Sequence, residues 1–162
     1  MPLVTGLDYS PGMIAEAKRK AAKRNSEVFF IQGDAMEMPF DDDRADAATI
    51  SFGMRNLPDY AAGVKEMARI VKPGGKVICL EMTPYRRPIL KYPFQFYFKQ
   101  VMPLIGWALT REYKAYKYLP ESVEKFPTAD EMADIFRDAG LANVRYELLG
   151  FGTVALHVGV KA

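Results

Sequence analysis

Cysteine and histidine are almost missing from this 162-residue chain, which has one of each, Cys79 and His157. A single cysteine excludes an internal disulfide framework and a Cys-based zinc site, and a single histidine excludes a His-rich metal centre. No run of 18 apolar residues occurs, so the sequence gives no signal for a membrane-spanning helix. The first residues do not read as a secretory leader either. A net charge of only +2 gives no global excess that would mark a polyanionic partner. What is present, 49% hydrophobic and 26% charged residues, is the balance of one globular domain with a sizeable core. The expectation is a soluble cytoplasmic protein.

The charge is unevenly spread. Residues 85–119 carry seven basic residues (Arg86, Arg87, Lys91, Lys99, Arg111, Lys114 and Lys117) against one acid, Glu112. The same segment holds ten of the twenty aromatics. Basic and aromatic residues together suit nucleic acid, but no RNA- or DNA-binding motif accompanies them, and nucleic acid is not expected as a partner.

Elsewhere strand and helix alternate. Strands are expected at Val4–Asp8, Glu27–Gln32, Ala45–Phe52 and Lys76–Met82, and helices at Pro11–Arg24 and Asp59–Val71. Ser10 is a candidate N-cap with Pro11 at the first helical position, and Pro73-Gly74-Gly75 marks a turn. After residue 119 the pattern gives a helix at Thr128–Ala139 and strands at Val144–Leu149 and Val154–Val160. Repeated β-α units imply an α/β fold with a mostly parallel sheet and helices on both faces. The closing pair of strands, linked through Gly150 and Gly152, suggests a hairpin that puts one antiparallel strand into that sheet.

In open sheets of this kind ligands sit beyond the carboxyl ends of the strands. Asp8, Asp34 and Ser51 fall there. An acid at a strand end just before a helix suits a nucleotide ribose, and it is also an ordinary way to end a strand; spacing alone leaves both open. The acidic run Asp41-Asp42-Asp43 reads as a solvated turn rather than a metal site. His157 alternates with apolar residues, the pattern of a packed core histidine rather than a base.

Several stretches carry a family resemblance: GLDYSPGM (6–13), GDAMEMPFDDD (33–43), SFGMRNLPDY (51–60), RIVKPGGKVICLEM (69–82), YKYLPES (116–122) and ALHVGVKA (155–162). In this order they resemble the UbiE/MenG/Coq5 C-methyltransferases of ubiquinone and menaquinone biosynthesis, from about Val4 to Lys161. The resemblance implies a class I, Rossmann-like methyltransferase fold that uses S-adenosylmethionine (SAM) as methyl donor. It assigns Asp8 to the SAM ribose hydroxyls, Asp34 to the adenine amino group with Ala35 beside the ring, and Ser51 to the strand end under the methionine part. It makes Arg55 and Asn56 catalytic toward the ring of a prenylated quinol. Family accounts give the arginine a part in proton removal through water; because an arginine is almost never deprotonated, a role in stabilising the phenolate is the better expectation. Tyr85 is a further substrate contact to consider.

The resemblance also gives the aromatic, basic segment a reading. Phe94, Phe96, Tyr97, Phe98, Met102, Leu104, Ile105 and Trp107 would line a tunnel for an isoprenoid tail, with the basic residues on anionic lipid headgroups at the membrane periphery. The plainer alternative is a helical lid with a solvated basic face. Family members carry a strand and a Gly-rich loop ahead of the Asp8 strand, and the stretch before Asp8 is too short to hold them. From this we expect a single truncated methyltransferase domain, weakened SAM binding, and unpaired inner edges on the Asp8 and Ala45–Phe52 strands. Exchange of segments in a homodimer would fill that gap. The competing functional reading is a non-catalytic remnant that binds a lipid or protein partner through residues 85–119.

Overall fold

The computed structural model describes residues 3–84 and 121–162. The tunnel or lid expected over 85–119, and Tyr85, lie outside the described residues. In chain order the elements are β1 (Thr5–Asp8), α1 (Pro11–Lys23), β2 (Phe29–Gln32), β3 (Ala45–Ser51), α2 (Tyr60–Ile70), β4 (Val71–Met82), α3 (Ala129–Asp138), β5 (Leu141–Leu149) and β6 (Val154–Lys161).

Helix starts are set by side chains that satisfy the first free N–H groups. Ser10 Oγ accepts from Met13 N, and Asp59 Oδ1 accepts from Ala62 N. Thr128 and Glu131 form a reciprocal capping box at α3: Glu131 N donates to Thr128 Oγ1, and Thr128 N donates to Glu131 Oε2.

The strands form two sheets. β1 and β2 pair in parallel, while the other four are ordered β3-β4-β6-β5. β3 and β4 are parallel, and β6 is antiparallel to both of its neighbours, β4 and β5. The mostly parallel α/β plan with one antiparallel strand is therefore present. Among the described residues, β1 pairs only with β2, and β3 only with β4, so the inner edges expected to be unpaired are unpaired.

Two boundaries differ from expectation by three residues or more. The Pro73-Gly74-Gly75 turn is a bulge inside β4, because Val71 already pairs with Ala45 before Lys76 pairs with Ala47. Gly74 sits at φ +79°, and a Cβ on Gly75 would lie 2.7 Å from the Asp46 carbonyl oxygen, so this bulge needs its glycines. β5 begins at Leu141 rather than Val144, straight after Gly140 at φ +85°, and absorbs a bulge around Asn143 at φ +51°.

The core lies between the four-stranded sheet and the α2–α3 layer. Met54, Val64, Met67, Val71, Val77, Cys79, Met132, Phe136 and Leu141 belong to it. α1 instead packs on β1 and β2. The connection after β2 joins the two parts: Met38 and Phe40 pack on the main core. Met38 N donates to Glu66 Oε1 at 2.7 Å, and Arg69 Nη2 donates to the Met38 carbonyl at 3.1 Å.

Candidate active site

Parallel pairing of β1 with β2 matches Asp8 with Gln32. Asp8 and Asp34 thus lie beyond the same end of the two-stranded sheet. Each carboxylate is fixed by its own turn: Asp8 Oδ1 accepts from Ser10 N at 2.8 Å, and Asp34 Oδ1 from Met36 N at 2.8 Å. These bonds hold one oxygen in place and leave Oδ2 of each without an acceptor role among the described residues. A carboxylate with one anchored and one free oxygen is oriented for a ligand hydroxyl or amino group. Ala35 follows Asp34 in the short turn closed by the Asp34–Glu37 bridge.

Ser51 closes β3, in register with Leu80 of β4, and is exposed. The next residue, Phe52, has φ +53°, a left-handed conformation that costs about 1–3 kcal/mol for a bulky side chain. After Gly53 the chain makes a 3-10 turn, Met54–Asn56, anchored by the fully buried Met54. Asn56 N donates to the Gly53 carbonyl at 3.1 Å.

This turn carries Arg55 to the end of β4. Its Nη1 donates to Glu81 Oε1 at 2.6 Å and to the Phe52 carbonyl at 2.9 Å, and its backbone N donates to Glu81 Oε2 at 3.2 Å. Glu81 Oε1 also accepts from Met82 N at 2.9 Å. The Glu81 side chain is 1% exposed and that of Arg55 13%. Arg55 is therefore not a solvated loop arginine; it is half of a buried ion pair. The backbone conformation of Phe52 has a purpose here, since its carbonyl is one of the two acceptors on Arg55 Nη1.

Glu81 was absent from the residues singled out in the sequence. A signal for it existed: Val77, Cys79 and Glu81 share one face of a strand with period 2, so an acid stands in line with two core residues. Next to it, Cys79 is fully buried, and burial, with the Glu81 charge adding to it, pushes its thiol up to about 12. That thiol is a packing group, not a nucleophile. His157 is also a core residue, 1% exposed, with Nε2 bonded to the Ala129 carbonyl at 2.8 Å and its ring against Phe136 and Tyr146.

The structure gathers the expected residues into two groups. Asp8, Asp34 and Ala35 stand at the ends of β1 and β2, and Ser51, Arg55 and Asn56 at the end of β3. Among the described residues no group of three or more His, Cys, Asp or Glu side chains could hold a metal ion, and no helix is long and apolar enough to cross a membrane.

Known proteins share this architecture. A SAM-dependent methyltransferase of Thermotoga maritima superposes with a TM-score of 0.63 at 23% identity, covering 98% of this chain and 73% of its own. The [4+2]-cyclase SpnF gives 0.72 at 16% identity over 98% of this chain and 66% of its own. Sequence relatives are nearer. Demethylmenaquinone methyltransferases of Halalkalibacterium halodurans and Bacillus mycoides are each 45% identical over 159 residues, or 98% of this chain. The chain spans 65% of the length of the first and 67% of the second. The pattern of the ubiE/COQ5 methyltransferase family runs through residues 2–161. With the strand-end carboxylates and the SFGMRN turn in place within that match, the chain belongs to the ubiE/COQ5 methyltransferase family.

Proposed function

We propose that this chain contributes to SAM-dependent methylation of a ring carbon in a prenylated hydroquinone, the step that menaquinone and ubiquinone biosynthesis require. The observation that carries the reading is the Arg55–Glu81 pair, a buried, oriented cation in the turn that follows the Ser51 strand end. Family membership and the demethylmenaquinone methyltransferase relatives support it.

SAM supplies an electrophilic methyl on a sulfonium. The residues present suit it: Asp8 would take the ribose hydroxyls, Asp34 the adenine amino group with Ala35 against the ring, and Ser51 the amino-acid end. The protein's task at the other reactant is to make a ring carbon nucleophilic. Loss of a hydroxyl proton puts negative charge on oxygen and, by delocalisation, on the neighbouring ring carbon. Arg55 stabilises that charge and orders the water that takes the proton, and Asn56 holds the ring by hydrogen bonding. Bound SAM would supply the methyl group and leave as the neutral thioether, while the ring-carbon proton would pass to water and the ring oxygen regain a proton, which restores the aromatic diol.

Two measurements test the reading. Calorimetric titration with SAM should show binding that Asp8→Asn weakens by about tenfold, the loss of one charge-assisted bond. Incubation with labelled SAM and a reduced, short-tailed demethylmenaquinone should label the quinone, and Arg55→Ala should abolish most of that label. Absence of both binding and transfer would overturn the proposal, and unimpaired turnover by Arg55→Ala would remove Arg55 from it.

A further inference from the structure

Among the described residues three arginines bind glutamates, and one does so differently. Arg19 meets Glu16 through Nε at 2.7 Å and Nη2 at 2.6 Å. Arg69 meets Glu66 through the same two atoms, Nε at 2.8 Å and Nη2 at 2.7 Å. This side edge is the one that presents two parallel N–H donors to two oxygens. Arg55 instead engages Glu81 and Phe52 through Nη1 and its backbone N–H. Its Nε is buried and has no partner, and Nη2 meets no acceptor among the described residues.

A buried, unpaired N–H costs free energy, and native structures rarely keep one without a reason. Glu81 is a second expense, since a buried carboxylate on a strand face shared with Val77 and Cys79 is often no better for stability than an apolar residue of its size. The two observations explain each other if the pair exists to hold the guanidinium still. Both Glu81 oxygens are taken up by the Arg55 residue itself, one by the guanidinium and one by the backbone. That grip fixes the turn and the side chain together.

We propose that Glu81 is a positioning residue, which clamps Arg55 by Nη1 so that the Nε/Nη2 edge stands ready as a rigid two-donor fork for a substrate oxyanion. The oxyanion class is phenolic, the ionised hydroxyl of an aromatic diol, and this rests on the function proposed above. Arg55 keeps 13% of its side chain exposed while Nε itself is buried, so a ligand that engages Nε has to displace what covers it. A bond to Nε forms beneath the surface, where it is shielded from water and correspondingly stronger. Holding the fork in advance removes the ordering cost from the reaction step.

The test reads Arg55 directly. In nitrogen-15 labelled chain the Arg55 side-chain resonances are assigned by their loss in Arg55→Lys, and rotation about the Nε–Cζ bond is measured from exchange of the Nη signals. Slow rotation is expected in the unsubstituted chain, and rotation at least tenfold faster in Glu81→Gln. Titration with naphthalene-1,4-diol kept reduced should move the Nε–H resonance, with affinity at least fivefold weaker in Glu81→Gln. Should that variant not fold, Glu81→Asp keeps the charge, withdraws it by one methylene, and is read in the same way.

Fast rotation in the unsubstituted chain overturns the proposal without any variant. Equal affinity for the diol in the unsubstituted chain and in the variant overturns the positioning role. A diol that leaves Nε–H unmoved overturns the fork as the receiving edge, as does a response to methionine carboxylate in place of the diol. None of these results depends on methyl transfer. Absence of labelled quinone would count against the proposed activity while leaving the measurement on Arg55 intact.

Discussion

β1, α1 and β2 contribute one buried residue, Ile14, whereas α2, β4 and α3 alone contribute Val64, Met67, Val77, Met132 and Phe136. The two regions have the same βα chemistry but very different depth. The deep region carries the Arg55–Glu81 pair, which needs a low-dielectric surrounding to be rigid. The shallow region carries Asp8 and Asp34, which are only partly buried. On the function proposed above, the carboxylates for SAM fall on the shallow side of the break between β1 and β3, and the cation for the substrate on the deep side. The Glu66–Arg69 grip on the Met38 backbone is one polar tie between them.

The largest contrast should come from two phenylalanines. Phe136→Ala empties a site that is 0% exposed and should cost about 3–5 kcal/mol. Phe29→Ala, at a position 59% exposed on β2, should stay within about 0.5 kcal/mol. Urea unfolding midpoints at constant slope measure both, and comparable losses would end the distinction between a deep and a shallow half.

Arg69→Ala cuts the tie and should lower the urea midpoint, since it removes bonds to Glu66, Asp42 and the Met38 carbonyl. It has a pH signature. The Arg69 guanidinium holds the Glu66 carboxyl below the usual carboxylate range. A depressed folded pKa means stability that is complete above the unfolded value, about 4.3, and lost as pH falls through the folded one. The variant should therefore lose less stability on acidification below about pH 4.3 than the parent does. Parallel acid-unfolding curves for the two would show that Glu66 is not held by Arg69.

Thr128→Ala removes one arm of the capping box on α3, inside the deep half, and should cost about 1 kcal/mol by thermal or urea unfolding. The smallest effect concerns His157. Burial lowers its pKa, partly offset by the bond to the Ala129 carbonyl. A neutral buried imidazole binds its proton more weakly folded than unfolded, so stability should fall as pH drops below about 6.5. His157→Gln should flatten the curve between about pH 7 and 5. An unchanged slope would place the titration elsewhere.

Element order and the antiparallel closing hairpin were legible because each rests on local periodicity, and the unpaired inner edges because the family resemblance implied them. Ser10 announced itself as a cap for the same reason. The β4 bulge was not, since Pro73-Gly74-Gly75 reads as a chain reversal unless one knows that Val71 already has a partner on β3. At the site, Asp8, Asp34, Ser51, Arg55 and Asn56 were named from family motifs, yet the burial of Arg55 was invisible. Whether an arginine after a strand is solvated or paired depends on what the neighbouring strand presents. That information sits 26 residues away, at Glu81.

The place of β6 between β4 and β5 has a consequence for how the molecule comes into being. Synthesis reaches β5 before β6, yet β5 touches β4 only through β6. During that interval β5 has no neighbour and β4 has one open flank, so the four-stranded sheet cannot be laid down strand by strand in the order it is made. Closure must wait for residues 154–161 and then happen nearly at once, with pairings that span some 75 residues between β4 and β6. Until then the open flank of β4 and both edges of β5 are exposed to mispairing.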